Sequence, residues 1–164
     1  MTKRSSAAKL LRWYRKHGRD LPWRQTRDPY KILVSEIMLQ QTQVSRGLIF
    51  YERWLKQFPH WKSLSCASNA VVIKAWAGLG YNRRALALRD IAKHVVAHGI
   101  PKTEQEWMMI KGIGPYTAAA ISAFAQKKRT MPIDTNIRRV LGRLLINLPY
   151  PQLSDDKLLE QKID

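Results

Sequence analysis

The chain has 164 residues, 45% of them hydrophobic and 25% charged, a balance typical of a single globular domain. It has 29 Lys and Arg against 12 Asp and Glu, and the net charge of +17 favours a polyanionic partner such as nucleic acid over a merely solvated basic surface. The one cysteine, Cys66, excludes an intrachain disulfide and a metal site of cysteine pairs, and no apolar run is long enough to span a membrane. We therefore expect a soluble, intracellular protein.

Apolar residues recur at helical spacing along nearly the whole chain, and no segment alternates convincingly over the length of a strand, so the predicted fold class is all-α. The first predicted helix contains Leu10 and Tyr14 and ends at Gly18; its broad apolar face has no assigned partner, and we expect that partner to lie beyond residue 164. The later predicted helices span, in chain order, residues 29 to about 41, 44–58, 70–76, 83 to about 97, 104–111, 115 to about 126, 135 to about 144, and a short amphipathic segment around 158–159.

Capping signals set two of these boundaries. Asp28 precedes Pro29, which is a cap residue followed by proline at the first helical position. Thr103 and Glu106 have the spacing of a capping box, in which each side chain accepts a hydrogen bond from the other's backbone amide.

Residues 111–117 join two predicted helices through a turn with two glycines. Glycine permits positive φ and the close approach of another backbone at Gly112 and Gly114, and Pro115 then begins a helix whose first N–H groups are free. Such a helix start binds anions, so the turn can bind a DNA phosphate through main-chain amides without reading base sequence. The alternative is a tight turn between packed antiparallel helices, but the net charge of +17 favours the phosphate site.

Glu36 lies on, or at the edge of, an apolar helical face, because Ile32, Leu33 and Leu39 are three or four residues away from it. A carboxyl group in such a place loses hydration and its pKa rises, which suits a general acid near neutral pH. The alternative is a boundary glutamate that reaches solvent or pairs with an arginine.

Asp134 is the second acidic candidate, because either it or Thr135 caps a predicted helix. The free N–H groups and the helix dipole at that position favour an ionised carboxylate. Plain N-capping is the alternative. A carboxyl group of raised pKa together with one that stays ionised is the combination that cleavage of a glycosidic bond uses.

Two polar turns complete the candidate positions. Gln40 and Gln41 come at the end of a helix and can pair with base edges. Tyr81 lies in a glycine turn and is followed by Arg83 and Arg84, so its ring can wedge between bases while the arginines bind phosphates. A polar helix end and a loop with solvated charge are the respective alternatives.

Taken in order, these residues closely resemble the MutY adenine glycosylases of the helix-hairpin-helix superfamily. The matching stretches are residues 21–24, 28–30, 35–44, 78–81, 111–117, 134–136 and 139–141. Order and spacing match from about Leu11 to Leu145, and residues 35–44 are highly specific within the superfamily. The resemblance implies a helix-hairpin-helix DNA glycosylase fold: a six-helix barrel module over residues 29–145, beside a second, incomplete lobe formed by residues 1–28 and 146–164.

The resemblance also implies a role for each candidate. Glu36 would protonate N7 of a flipped-out adenine, and Asp134 would stabilise the sugar oxocarbenium ion or trap it covalently, with Tyr116 and Asn136 supporting the site. Strand-cleaving relatives have lysine at the position of Tyr116, so tyrosine favours a monofunctional glycosylase. The adenine pocket would be lined by Arg19, Trp23, Arg24 and Leu39; the residues wedged into the duplex would be Gln41 and Tyr81; and the phosphate would be bound by Lys111, Gly112, Ile113, Gly114 and Thr117.

The chain departs from the family pattern at several points. Thr135 stands where glycine is usual, and Asn82-Arg83 replaces a more usual Tyr-Ser pair. The family's [4Fe-4S] cluster needs four cysteines that this chain lacks, so no cofactor and no metal site are expected in it. An adenine-contacting glutamate on a later helix and a domain that inspects oxidised guanine are also lacking, so we expect a truncated product or a reduced homologue.

The expected function is removal of adenine mispaired with 8-oxoguanine or guanine in double-stranded DNA, with the base extruded because its glycosidic bond is inaccessible within the stack. Two alternatives are a thymine glycosylase for G:T mismatches, which Gln40-Gln41 disfavours, and a DNA-binding fragment with impaired catalysis. We expect a monomer with no membrane partner, cytoplasmic and associated with the nucleoid if the source is bacterial or archaeal.

Overall fold

Helices account for all the regular structure of residues 3–163, which the computed structural model describes, with side chains from residue 7 onward. The all-α prediction is therefore confirmed. The α-helices of these residues are α1 Lys3–His17, α2 Pro29–Leu39, α3 Val44–Gln57, α4 Trp61–Ser65, α5 Asn69–Trp76, α6 Arg83–His98, α7 Glu104–Met108, α8 Pro115–Phe124, α9 Thr135–Leu145 and α10 Asp156–Ile163. Two short 3-10 helices lie at Pro22–Arg24 and Leu153–Asp155.

Helix α2 lies at the centre of the fold. It packs against α3, α6 and α8, and Ile32, Leu33 and Val34 are almost completely buried. Because three successive residues point in different directions around a helix, α2 is covered on nearly all sides. It ends at Leu39 rather than near Gln41 as expected, since Gln41 adopts a φ of 55°, which ends a right-handed helix.

Buried aromatic rings connect α3 to its neighbours. The Trp54 ring packs edge-on against those of Phe58 and Trp76, with centroids 4.9 and 5.3 Å apart. Tyr30 donates a 2.6 Å hydrogen bond from its hydroxyl to the carbonyl of Phe58. Edge-to-face pairs contribute beyond the area that they bury, so these contacts fix α3 and α5 against the start of α2.

Helix α4 was not predicted from the sequence. It has only five residues, which is too short for helical periodicity to reveal. Its start is a capping box: the His60 ring accepts from the Ser63 amide at 3.2 Å, and the Ser63 hydroxyl accepts from the His60 amide at 3.3 Å. Leu64 is fully buried where α4 packs against α6.

The capping box predicted at the start of α7 forms only in part. Thr103 accepts from the Glu106 amide at 3.2 Å, but the Glu106 carboxylate accepts from the amide of Lys102, at 2.7 Å, instead of that of Thr103. The helix also ends at Met108, before the expected residue 111, because the chain turns there towards Gly112, whose φ is 99°. The prediction was therefore wrong in two respects: the amide that donates to the Glu106 carboxylate is that of Lys102, and the helix ends at Met108.

The last two helices are joined by a partly buried ion pair. The Arg138 guanidinium on α9 forms two parallel hydrogen bonds with the Asp156 carboxylate on α10, at 2.5 and 2.8 Å. Leu159 on α10 is fully buried. Gly142 packs directly on Pro151, and a Cβ added there would lie 2.5 Å from the proline ring. Residues after α9 are thereby held against it.

Helix α1 leaves its apolar residues exposed: Leu10, Leu11, Trp13 and Tyr14 are each 45–65% accessible. Trp13 stacks on the His17 ring of the same helix, with centroids 5.1 Å apart. None of the helices in residues 3–163 combines the length and the apolar character needed to cross a membrane.

Candidate active site

Glu36 is the acidic residue of the central helix α2, and it faces a cleft. It lies between the buried Ser35 and Ile37 on α2 and is itself half-buried. Burial, the largest effect, raises the pKa of its carboxyl, and the negative charge of Asp134 raises it further, whereas a hydrogen bond from Tyr116 lowers it. The net result is a pKa above the ordinary glutamate value, as the sequence predicted.

Asp134 caps helix α9. Its φ is −88° and its ψ 178°, an extended conformation outside the helix, and Oδ1 accepts a 2.6 Å hydrogen bond from the amide of Ile137. The Asn136 side-chain amide lies 3.5 Å from Oδ2 and in turn accepts from Arg139 at 3.0 Å. Asp134 is therefore an N-cap, the alternative that the sequence left open. Its carboxylate also lines the same cleft as Glu36.

Tyr116 lies close to both acids. It occupies the first turn of α8, directly after Pro115, and donates to Glu36. Burial, the neighbouring Glu36 and, more weakly, Asp134 all raise the pKa of its phenol, so the hydroxyl stays a donor across the physiological range. The structure therefore gathers Glu36, Tyr116 and Asp134, from α2, α8 and the start of α9, into one group.

Two cavities are lined in common by Glu36, Tyr116 and Asp134. Their volumes are about 720 and 1030 Å³, and Glu36, Leu39, Tyr116 and Asp134 line both. Other predicted site residues line one cavity or the other. The smaller cavity has Gln41 and Tyr81 in its wall; the larger has Arg19, Trp23, Arg24 and Asn136. A space of this size accommodates an extruded nucleotide.

Trp23 contributes little surface to the larger cavity. It is 9% exposed, and its ring packs edge-on against Tyr51 with centroids 5.1 Å apart. Arg24 is more accessible: its Nη1 donates to the carbonyl of Arg19 at 3.1 Å, and its guanidinium lies 5.5 Å from the Tyr14 ring. Trp23 therefore packs behind the other residues that line the cavity and exposes little of its own surface to it.

Some residues of the larger cavity were not predicted as site residues. They include Tyr14, Arg27, Phe124 and Lys127. Their sequence surroundings contain no distinctive motif, and only the general excess of positive charge pointed to the two cations. Lys127 has a φ of 56°, a conformation that a sequence pattern does not reveal for lysine.

Gln41 and Tyr81 both adopt left-handed backbone conformations. Their φ values are 55° and 52°, and the Tyr81 side chain is 70% exposed at the rim of the smaller cavity. Non-glycine residues rarely adopt such angles, and they are concentrated at functional sites. The two residues predicted to enter the duplex thus stand on neighbouring strained turns.

Arg84 does not match the phosphate-binding role that the sequence suggested for it. Its two terminal nitrogens donate to main-chain carbonyls, among them those of Ile37 at 3.1 Å and Gly80 at 3.2 Å. Burial lowers the pKa of the guanidinium, although Tyr81 opposes that effect. A guanidinium engaged with carbonyls in this way is not available to a phosphate, so that expectation for Arg84 was wrong.

The glycine hairpin lies between α7 and α8, and its five predicted phosphate-binding residues are not among the described residues that line either cavity. Lys111 is exposed, but Ile113 and Thr117 are 6% and 4% exposed, so their contribution to a phosphate site would be main-chain amides only. Of the two glycines, Gly112 has a positive φ, 99°, whereas Gly114 has −91° and serves as the N-cap of α8.

The donor set of the chain does not fit an iron–sulfur cluster. Such a cluster takes four thiolates, and the 164 residues contain only Cys66, which is exposed. Among the described residues, no group of three or more His, Cys, Asp or Glu side chains is placed to bind a metal ion.

Comparison with known proteins identifies the family. A family model described as HhH-GPD superfamily base excision DNA repair protein matches residues 34–162. The adenine DNA glycosylase of Mycobacterium tuberculosis is 41% identical over 143 residues, which cover 84% of this chain and 47% of that protein. The chain spans about a quarter to a half of the length of the curated relatives it matches. The resemblance seen in the sequence is thus confirmed.

Solved structures show the same fold. A thermostable thymine-DNA glycosylase matches with a TM-score of 0.85 at 27% identity, covering 98% of this chain and 78% of that one. Endonuclease III in a non-covalent complex with DNA matches with a TM-score of 0.74 at 17% identity, covering 99% and 76%, a likeness that concerns the fold alone. The predicted helix-hairpin-helix glycosylase fold is confirmed, and the chain belongs to the HhH-GPD superfamily of base excision DNA repair proteins.

Proposed function

We propose that this chain is a monofunctional DNA N-glycosylase that hydrolyses the N-glycosidic bond of adenine mispaired with 8-oxoguanine or guanine. The observation that supports this proposal most directly is the convergence of Glu36 and Asp134 on one cleft, together with Tyr116. The similarity to adenine DNA glycosylases, at 41% identity for the M. tuberculosis protein, favours adenine as the base.

In the proposed reaction Glu36 acts as a general acid. Because its pKa is raised, the Glu36 carboxyl retains a proton, and it donates that proton to N7 of the extruded adenine. The C1′–N9 bond then breaks and its electron pair moves onto the base, which leaves an oxocarbenium ion on the sugar. A water molecule then attacks C1′ and passes a proton to the Glu36 carboxylate, which restores the acid and completes the hydrolysis.

The other two residues act on charge and position. The Asp134 carboxylate faces the same cleft and stabilises the positive sugar, or forms a transient ester with C1′ that water then hydrolyses. Tyr116 donates to Glu36 and orients it. A phenol at this position cannot form an imine with C1′ as an amine would, which is why we propose hydrolysis without strand cleavage.

The partner in this proposal is duplex DNA that contains the mispair, bound by a single chain. The net charge of +17 and the free amides at the start of α8 support it. Cytoplasmic, nucleoid-associated localisation in a bacterial or archaeal cell belongs to the same proposal.

Single-turnover release of the base tests the function. The assay uses duplexes with adenine opposite 8-oxoguanine, adenine opposite guanine, and thymine opposite guanine. We expect release from the first two, and Glu36→Gln and Asp134→Asn each to lower the rate by roughly 10²–10⁴-fold without weakening duplex binding. Glu52→Gln, which changes an exposed glutamate on α3, is the matched control and should release adenine at the original rate.

Each other outcome has a definite meaning. Release of thymine but not adenine would assign the chain to G:T mismatches instead. Binding without any release would leave a DNA-binding fragment. Retained release in either acid variant would overturn the assignment of that residue.

A further inference from the structure

We infer that Arg84 is a positioning residue whose single guanidinium group fixes the two turns that present Gln41 and Tyr81 to DNA. The inference rests on the proposed function, in which those two side chains enter the duplex. Arg84 belongs to the first turn of α6, and its side chain contacts the main chain of two separate segments, the end of α2 and the turn before Tyr81.

On one side Arg84 completes the end of α2. Its Nη1 lies 3.1 Å from the carbonyl oxygen of Ile37 and 3.3 Å from that of Met38, and it also donates to the carbonyl of Gln40. The last carbonyls of a helix have no partner within the helix, and a cation near them is favourable. Arg84 therefore sets the direction in which the chain leaves α2 and enters Gln41.

On the other side Arg84 supports the glycine turn. Its Nη2 donates to the carbonyls of Leu79 and Gly80, both at 3.2 Å. The guanidinium carbon lies 5.5 Å from the centroid of the Tyr81 ring and 5.4 Å from that of Trp76. The Trp76 indole donates a further hydrogen bond of 2.9 Å to the carbonyl of Gly80. Two side chains, those of Arg84 and Trp76, therefore donate hydrogen bonds to this turn.

Both turns need such support because of their backbone conformation. Gln41 and Tyr81 have φ values of 55° and 52°, and non-glycine residues keep such angles only where the surroundings enforce them. Since Arg84 makes contacts to both turns, the positions of the two side chains are coupled. A lysine has one compact ammonium group in place of the planar fork and cannot bind both sides at once.

The first test examines the free protein, so it does not depend on activity. Amide hydrogen exchange is compared for the original chain, Arg84→Met, Arg84→Lys and Lys93→Met, the last being an exposed cation on the same helix. We expect residues 40–43 and 79–82 to exchange roughly tenfold faster in both Arg84 variants, while amides of the α2 core keep their protection. Lys93→Met should change neither turn.

Two results of this test would overturn the inference. One is unchanged exchange in either turn. The other is an equal acceleration at every amide, because that would show Arg84 to support only the global stability of the fold.

The second test measures unstacking of DNA. A duplex carries 2-aminopurine beside the mispaired adenine, and its fluorescence rises when the neighbouring base is displaced. We expect Arg84→Met and Tyr81→Ala each to reduce this rise several-fold, and the double variant to match Tyr81→Ala alone, because Arg84 acts through the turn. Additive losses, or no rise with the original chain, would count against the inference.

The two failures remain distinguishable. If the chain releases no adenine, the proposed reaction fails, yet exchange and fluorescence still decide the role of Arg84. If release occurs and the two turns exchange independently of Arg84, only the positioning role fails.

Discussion

The Glu36 carboxyl responds to three effects of different sign. Burial raises its pKa most, the hydrogen bond from Tyr116 lowers it, and the charge of Asp134 raises it again. A raised pKa in the folded state means that the protonated form is the one the fold tolerates best. The raised pKa that would suit Glu36 to act as a general acid therefore also means that its ionised form destabilises the fold at neutral pH.

Glu36→Gln should raise the thermal stability of the chain at pH 7. The folded-state pKa of Glu36 lies above the unfolded value, so its favourable contribution is complete below the unfolded pKa and is lost as the pH rises through the folded pKa. Each kcal/mol by which the free energy of unfolding increases raises the Tm by roughly 2–4 °C in a chain of this size. Melting curves between pH 4 and pH 8 check this.

The gain should shrink as the pH falls towards 4, because glutamate is then increasingly protonated in both states. Glu52→Gln, which alters an exposed side chain, serves as the control and should leave the Tm unchanged at every pH. An equal gain at all pH values, or a loss at pH 7, would show that ionisation of Glu36 is not the cause.

At the scale of helices, the pair formed by Arg138 and Asp156 joins α9 to α10. The guanidinium is 10% exposed and the carboxylate 25%, and their two hydrogen bonds measure 2.5 and 2.8 Å. The hydrogen bond to Asp156 raises the pKa of Arg138, which stays charged throughout. Because Asp134, the cap of α9, also acts on Arg138, the pair supports the helix that positions one catalytic candidate.

Asp156→Asn should destabilise the fold by about 2 kcal/mol, since it leaves a largely buried guanidinium without its counter-charge. The corresponding fall in Tm is roughly 4–8 °C. Asp90→Asn is the matched control, because Asp90 is 68% exposed and lies 3.8 Å from Arg89, and we expect a change within about 0.5 kcal/mol. Equal effects of the two substitutions in thermal melts would contradict this view of the pair.

Gly114→Ala tests the hairpin between α7 and α8. Gly114 has an ordinary φ of −91° and open space where a Cβ would lie, so alanine should fold normally. If a phosphate approaches the amides at the start of α8, the added methyl should weaken duplex binding about tenfold, equal to the loss of one hydrogen bond to a charged group.

Fluorescence anisotropy with a duplex oligonucleotide measures this affinity, and a melting curve verifies the fold. Gly99→Ala provides a comparison at a glycine remote from the hairpin in sequence, whose positive φ of 88° predicts a loss of stability without a specific loss of DNA affinity. Unchanged binding by the folded Gly114→Ala variant would exclude close approach of a phosphate there.

At the scale of the whole molecule, the net charge of +17 governs association with a polyanion. Cations that bind phosphates release condensed counterions, so affinity falls steeply as salt rises. We expect duplex affinity to fall roughly a thousandfold between 50 and 200 mM salt, as for a protein that contacts about six phosphates. Lys111→Ala should lower the slope of log affinity against log salt by about 0.9. Affinity that is indifferent to salt would rule out phosphate contacts as the main source of binding.

Much of this architecture follows from short-range signals in the sequence. The cap at Asp28 and the starts of α2 and α8 at Pro29 and Pro115 depend on residues within one helical turn of each other, and the structure confirms them. The five-residue helix α4 and the early end of α7 escaped prediction because a single turn has no measurable period, and because neighbouring elements decide where it stops.

By itself, the sequence determined that the chain is helical, strongly basic and of the MutY-like pattern, because those properties reside in composition, local spacing and motif order. Only the tertiary structure decided that Glu36, Tyr116 and Asp134 meet in one cleft, and that Arg84 binds main-chain carbonyls instead of phosphate. The physical reason is that helical periodicity specifies which face of a helix is buried but not which distant residue it meets. Such contacts exist only once α2, α6 and α8 have packed together.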